Sequence, residues 1–289
     1  FVTLFNVHDA TKDSYVRDIR SGLGCEDFKL VFSYICFKSY FNGEFQFSES
    51  RLRFYIQQAK EKFNRFNFTV ENFQEDLTQS VCMLVKEGGI YRFSHRSFQE
   101  YFAAWYTCKL VDDVQAKLLL NWIQESDSVL SDSYFTMLFD LQSEKVNKII
   151  LCPILKEIKK LYLQYGFSIE LLNILFKGMK FTKRLNGEET RYITTLTIKN
   201  QYLCYGLMLN NRLNMFPYSD NDNNREKQIF EKMEKHMVSK KHKRSVGRMS
   251  VTFDEVLEVF KPDEILNHLE EFQNQIEFAI QIVEKYDDR

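Results

Sequence analysis

Apolar residues recur at helical spacing along most of the chain. Phe28, Val31, Phe32, Ile35 and Cys36 follow one another at steps of three and four, the mark of one buried helix face. Asn42-Gly43 is a dipeptide that ends helices, because Gly accepts the left-handed conformation. Ser48 has the place of an N-cap for a second helix, with Leu52, Tyr55, Ile56 and Ala59 as its buried stripe. A third helix opens at Thr69 or Val70 and carries Phe73, Leu77 and Val81 on one face. The period then changes. Cys82-Met83-Leu84-Val85 and Ile90-Tyr91-Arg92-Phe93 flank Lys86-Glu87-Gly88-Gly89, which predicts a short hairpin turning at the glycines. In the fourth helix, Ser97 and Glu100 stand at capping-box spacing, and Phe98, Phe102, Trp105 and the region of Leu110 form the inner face. Three helices followed by a hairpin is the layout of a winged helix, with the hairpin as wing.

From Asp112 to Asn200 the pattern predicts successive amphipathic helices and no strong strand. Leu118, Leu119, Trp122 and Ile123 mark one, and Tyr134, Met137, Leu138 and Leu141 another. A long helix over Ile149–Tyr165 is nicked at Pro153, and Ile169, Leu172, Leu175 and Phe176 make the next. Gly187 marks a turn, and Tyr192–Ile198, rich in Thr and Ile, reads as helix or strand. Asn210–Asn224 is too polar to pack a core and reads as a loop. A charged helix over about Arg225–Val238 follows, then a capping-box pair at Thr252 and Glu255, and Pro262 in a helix's first turn. The last helix carries Ile265, Leu269, Phe272, Ile276, Ile280 and Val283 as one stripe. The fold class is therefore mainly α: a winged-helix domain with a short β-hairpin, followed by a helical bundle or helical-repeat domain, though no fixed repeat period is evident.

The 289 residues suffice for one large core or two smaller ones. With 39 basic and 40 acidic residues, no global field recruits or repels a polyanion. The six cysteines lie on apolar stretches with no CxxC pair, which predicts buried free thiols in a reducing cytoplasm and no zinc site. No run of 18 apolar residues predicts a membrane span. There is no GxxxxGK[ST] phosphate loop, nor GxGxxG, HExxH or GxSxG. The chain alone is accordingly expected to be no enzyme, to have no catalytic or metal-ligating residues and to hold no cofactor.

The most specific local feature is Tyr91-Arg92-Phe93-Ser94-His95-Arg96-Ser97-Phe98-Gln99-Glu100-Tyr101-Phe102-Ala103-Ala104. It resembles the winged-helix signature of NACHT-type STAND NTPases, roughly FxHxSFQEYFAA. His8-Asp9-Ala10-Thr11-Lys12, Phe32, Tyr40-Phe41-Asn42-Gly43-Glu44, Asp76-Leu77 and Val81-Cys82 are similar to bacterial members linked to antiphage defence. The resemblance covers about residues 1–111. It identifies them as the winged-helix region, and leaves 112–289 as a helical C-terminal region for sensing or effector coupling.

The resemblance implies a switch. In the family the winged helix folds back on the nucleotide-binding core and holds ADP in a closed, inactive state, and a histidine of this motif touches the nucleotide phosphate. The matching residue is His95, at a helix N-terminus where free amides attract anions, with Arg96 adding a fixed charge. His8, Asp9 and Lys12 fall at the join with the core, where a hinge contact is expected. The implied cofactors of the full-length protein are ATP or ADP with Mg. The implied partners are its own N-terminal NTPase core, a phage-derived or other trigger ligand, and further copies of itself when activated. No membrane partner is expected, and the location is cytoplasmic. Lys240, Lys241, Lys243 and Arg244 form a basic cluster, read as a solvated loop with a nucleic-acid patch as the sharper alternative. Two rival readings stay open: a winged-helix nucleic-acid-binding regulator, and a helical protein-interaction module.

Overall fold

A computed structural model describes residues 19–125, 129, 132–186, 189–210, 223–239 and 247–287. The chain divides into two compact units: residues 1–117 with 132–143, and residues 118–131 with 144–289. The boundary between them falls inside two helices, α5 (Asp112–Glu125) and α6 (Tyr134–Val146).

Among the described residues, the first helix of the first unit is α1 (Cys25–Phe41), which ends at Asn42 and Gly43, the latter at φ +69°. A short strand β1 (Gln46–Ser48) leads into α2 (Glu49–Lys62), capped by the Ser48 side chain as predicted. Helix α3 (Val70–Glu75) is capped by Thr69 and runs on into a π-helical turn, Asp76–Ser80. Strands β2 (Leu84–Glu87) and β3 (Ile90–Phe93) form the predicted hairpin, and Gly88 and Gly89 both take positive φ, as a two-residue hairpin turn requires. The three strands make an antiparallel sheet in the order β1-β3-β2. Helix α4 (Arg96–Thr107) then packs along α1, with Phe32 against both Phe93 and Phe102.

Sequence pattern missed β1, because three residues cannot display a period; its place is set by pairing Phe47 with Tyr91. It also misplaced the inner face of α4. The buried residues are Gln99, Glu100, Phe102, Ala103, Ala104, Tyr106 and Thr107, while Phe98, Tyr101 and Trp105 are only half-buried. The helix turns inward a polar pair because α1 and the chain beside it supply partners. Gln99 donates through Nε2 to the Ser39 hydroxyl and the Glu44 carbonyl, each at 2.8 Å.

The second unit departs from the helical expectation. A π-helical turn (Asn147–Leu151) runs without interruption into α7 (Cys152–Tyr165); Leu151 and Cys152 keep helical backbone angles, so Pro153 lies just past the π-turn without breaking the helix. After α8 (Ile169–Leu175) come two long strands, β4 (Phe176–Asn186) and β5 (Glu189–Ile198), where the apolar spacing predicts helix through Phe176 and either helix or strand over 192–198. Helix α9 (Gln201–Asn210) and the predicted charged helix α10 (Asn223–Ser239) follow, then strand β6 (Arg248–Val251). The sheet is antiparallel in the order β5-β4-β6. The signal was present in β5, where Tyr192, Thr194 and Leu196 are buried at period two; in β4 the lysines between apolar residues also fit a helix. The C-terminal unit is thus mixed helix and sheet, not a helical bundle or repeat.

Helix α11 (Phe253–Leu257) has the predicted capping box between Thr252 and Glu255. The predicted final helix is two: α12 (Pro262–His268) and α13 (Glu270–Asp287), broken at Leu269. Its buried stripe passes through Phe272, Ile276, Ala279 and Val283, with Ile280 only half-buried. Phe272 meets Phe176 at 5.4 Å between ring centroids, so α13 and β4 share one core. In that core His268 and Glu226 approach to 3.3 Å, both almost fully buried, and the Thr194 hydroxyl donates to Glu226 at 2.6 Å.

All six cysteines are free; Cys36, Cys152 and Cys204 are buried, and Cys25, Cys82 and Cys108 are partly exposed, fewer buried than expected. Among the described residues no helix is long and apolar enough to cross a membrane, and no cluster of His, Cys, Asp or Glu could hold a metal. The turn at Gly187 and nearly all of the polar stretch at 210–224 lie outside the described residues.

Candidate functional site

The first residue of α4 is Arg96, so His95 is its N-cap, and Ser97, expected in that place, lies inside the first turn. The ring Nδ1 of His95 accepts from the Ser97 backbone N–H at 3.3 Å and stands 2.5 Å from the Ser97 hydroxyl. A nitrogen that accepts carries no proton. The cap therefore selects the tautomer with its proton on Nε2, and His95 is an exposed side chain. With Nδ1 engaged by the cap, Nε2 is the ring nitrogen left to meet an acceptor oxygen at the start of the helix.

Arg96 is held by its own unit. Its guanidinium lies over the Phe45 ring at 4.2 Å, and it pairs with Glu100 at 3.1 Å and with Asp132 at 3.6 Å. Glu100 also accepts from the Ser133 N–H, and Asp132 accepts from the Tyr134 N–H and the Tyr40 hydroxyl. Burial, and then the Asp132 charge, push the Glu100 carboxyl above the usual carboxylate range; burial does the same to Asp132, against the pull of its hydrogen bonds. Beside them lies an open groove of about 650 Å³ lined by Gly43, Glu44, Phe45, Arg92, Phe93 and Arg96 among others.

Of the predicted site residues, the structure brings together His95 and Arg96 alone. His8, Asp9 and Lys12, and the cluster Lys240, Lys241, Lys243 and Arg244, lie outside the described residues. Sequence reading missed Asp132, Tyr40 and Phe45. Asp132-Ser133 ahead of the apolar run of α6 is a helix-start signal that could have flagged Asp132. Nothing in the sequence marks Tyr40 or Phe45 as its neighbours.

Residues 139–289, more than half of the chain, match the family model described as short NACHT-associated C-terminal domain, family 7. The chain belongs to this family. It is the C-terminal region of a NACHT-type protein. The resemblance carried by residues 1–111 and the family match over 139–289 do not overlap, so two separate stretches point to the same kind of protein. No curated protein and no solved structure matches the chain.

Proposed function

We propose that this NACHT-associated chain is the regulatory and sensing portion of a STAND NTPase in bacterial antiphage defence. In this reading residues 1–111 are the winged-helix region and 112–289 the sensor or effector-coupling region. The winged helix clamps the nucleotide-bound inactive state and releases it when a phage-derived trigger binds, after which ADP exchanges for ATP and the protein oligomerises in the cytoplasm. The element order α1-β1-α2-α3-β2-β3 supports a winged helix, with the β2–β3 hairpin as wing.

The observation that carries the reading is the state of His95. Its Nδ1 is spent on capping α4, which leaves Nε2–H as a donor for a phosphate oxygen of a nucleotide held by the NTPase core. Arg96, stacked on Phe45 and paired with Glu100 and Asp132, is fixed in place next to His95. A wing-based nucleic-acid regulator draws less support, since Lys86 pairs with Glu49 and Arg92 with Glu87.

The test compares His95→Ala with His95→Asn. Asn caps helices well, so only the Ala variant loses the cap, at about 1 kcal/mol of chain stability. In the NACHT-containing protein both variants are expected to retain less co-purifying ADP, measured by chromatography after denaturation. If ADP retention is unchanged in both, the phosphate contact is wrong.

A further inference from the structure

The second sheet has one face turned to the core and one turned outward. Met179, Phe181, Tyr192, Thr194, Leu196, Met249 and Val251 are buried on the inner face. The register assigns Lys180, Thr182 and Arg184 of β4, Arg191, Ile193 and Thr195 of β5, and Arg248 and Ser250 of β6 to the outer one, where Thr182, between Ile193 and Arg248, is itself buried and Lys180 half-buried. Four of these are cations, and Arg184, Arg191 and Arg248 are exposed. Glu189, near the end of the ribbon, is the one acidic residue among the described residues of these strands.

Arg184 stands directly opposite Arg191 in the ladder. Like charges directly opposite destabilise a sheet, and among the described residues no carboxylate pairs with either. Past Thr182 the Lys183 N–H still donates to the Gly247 carbonyl at 2.7 Å, and β4 and β5 go on pairing as far as Asn186 and Glu189 with this arginine pair between. From Lys180 to Arg184 the cations extend about 13 Å along the strand. Among the described residues of these strands, none that the register places on the outer face is aromatic, as base stacking by a single strand would need.

We infer that this outer sheet face binds the phosphate backbone of duplex DNA, with the Arg184–Arg191 ribbon lying in or along the major groove. That groove is about 12 Å wide and admits a two-stranded ribbon. Lys180 and Arg248 reach phosphates from the sheet behind it. The surface belongs to the C-terminal unit and does not depend on the clamp at His95, so either can fail without the other.

The test is fluorescence anisotropy of the full 289-residue chain with a labelled DNA duplex of about 20 base pairs. Four phosphate contacts predict a slope of log K against log salt near −3.6, or about 150-fold weaker binding at 200 mM than at 50 mM. Arg184→Glu with Arg191→Glu is expected to weaken binding at least about tenfold and to remove roughly two contacts from the slope. Arg65→Glu, at an exposed cation of the first unit, should leave both unchanged. Circular dichroism checks folding, and Arg184→Gln with Arg191→Gln replaces the pair if the glutamates unfold it. The proposal is overturned by absence of binding at 50 mM salt, by indifference to the paired substitutions, by tighter binding to the single strand, or by equal binding to anionic vesicles.

Discussion

Glu100 and Asp132 show how a motif residue acquires a property that only its neighbours confer. Glu100 lies in the signature stretch, yet its carboxyl is raised because α4 buries it next to a second acid from far along the chain. A carboxyl raised on folding favours the folded state while protonated, and that contribution is lost as pH rises through the raised value. Relative to Glu100→Gln, the wild-type chain should therefore be more favoured near pH 4 than at pH 7. Urea midpoints for both proteins across that range read this directly; parallel curves would mean that Glu100 titrates like a free side chain. Asp132 has the same sign, so the substitution removes only part of the dependence.

At the scale of elements, the second sheet is where sequence periodicity was least informative and packing most strict. Gly178 lies at a bulge between Phe176 and Gly178 in the β4–β5 ladder, at φ +152°. A Cβ there would meet the Val251 carbonyl oxygen at 2.0 Å. That neighbour is the backbone of β6 and cannot swing aside as a side chain would. Gly178→Ala combines backbone strain with overpacking, and is expected to cost roughly 3 kcal/mol or more. Chemical denaturation measures it, and a cost below 1 kcal/mol would show that β6 does not run as described. The hairpin of the first sheet contrasts with this. There Gly88-Gly89 announced the turn in advance, because the required conformation is local and few residues adopt it.

For the molecule as a whole, each unit has its own aromatic core. Phe28, Phe32, Phe73 and Phe102 fill the first; Phe176, Phe181, Phe253 and Phe272 fill the second. Phe272→Ala should cost about 3–5 kcal/mol, the range for emptying a buried aromatic site. Hydrogen exchange should place that loss in the C-terminal unit and leave the amides of α1 and α4 as protected as before. Acceleration in both units would mean that the chain unfolds as one. The sequence by itself determined most helices, several of their caps, the β2–β3 hairpin and the NACHT resemblance, since these rest on short-range spacing and on single residues with special backbone preferences. Only the tertiary structure decided the second sheet, the inward turn of Gln99 and Glu100, the cap at His95, and the meeting of Arg96 with Phe45 and Asp132. Each of those depends on which distant segment supplies a hydrogen bond, a counter-charge or a packing surface, and such pairings leave no period in the chain.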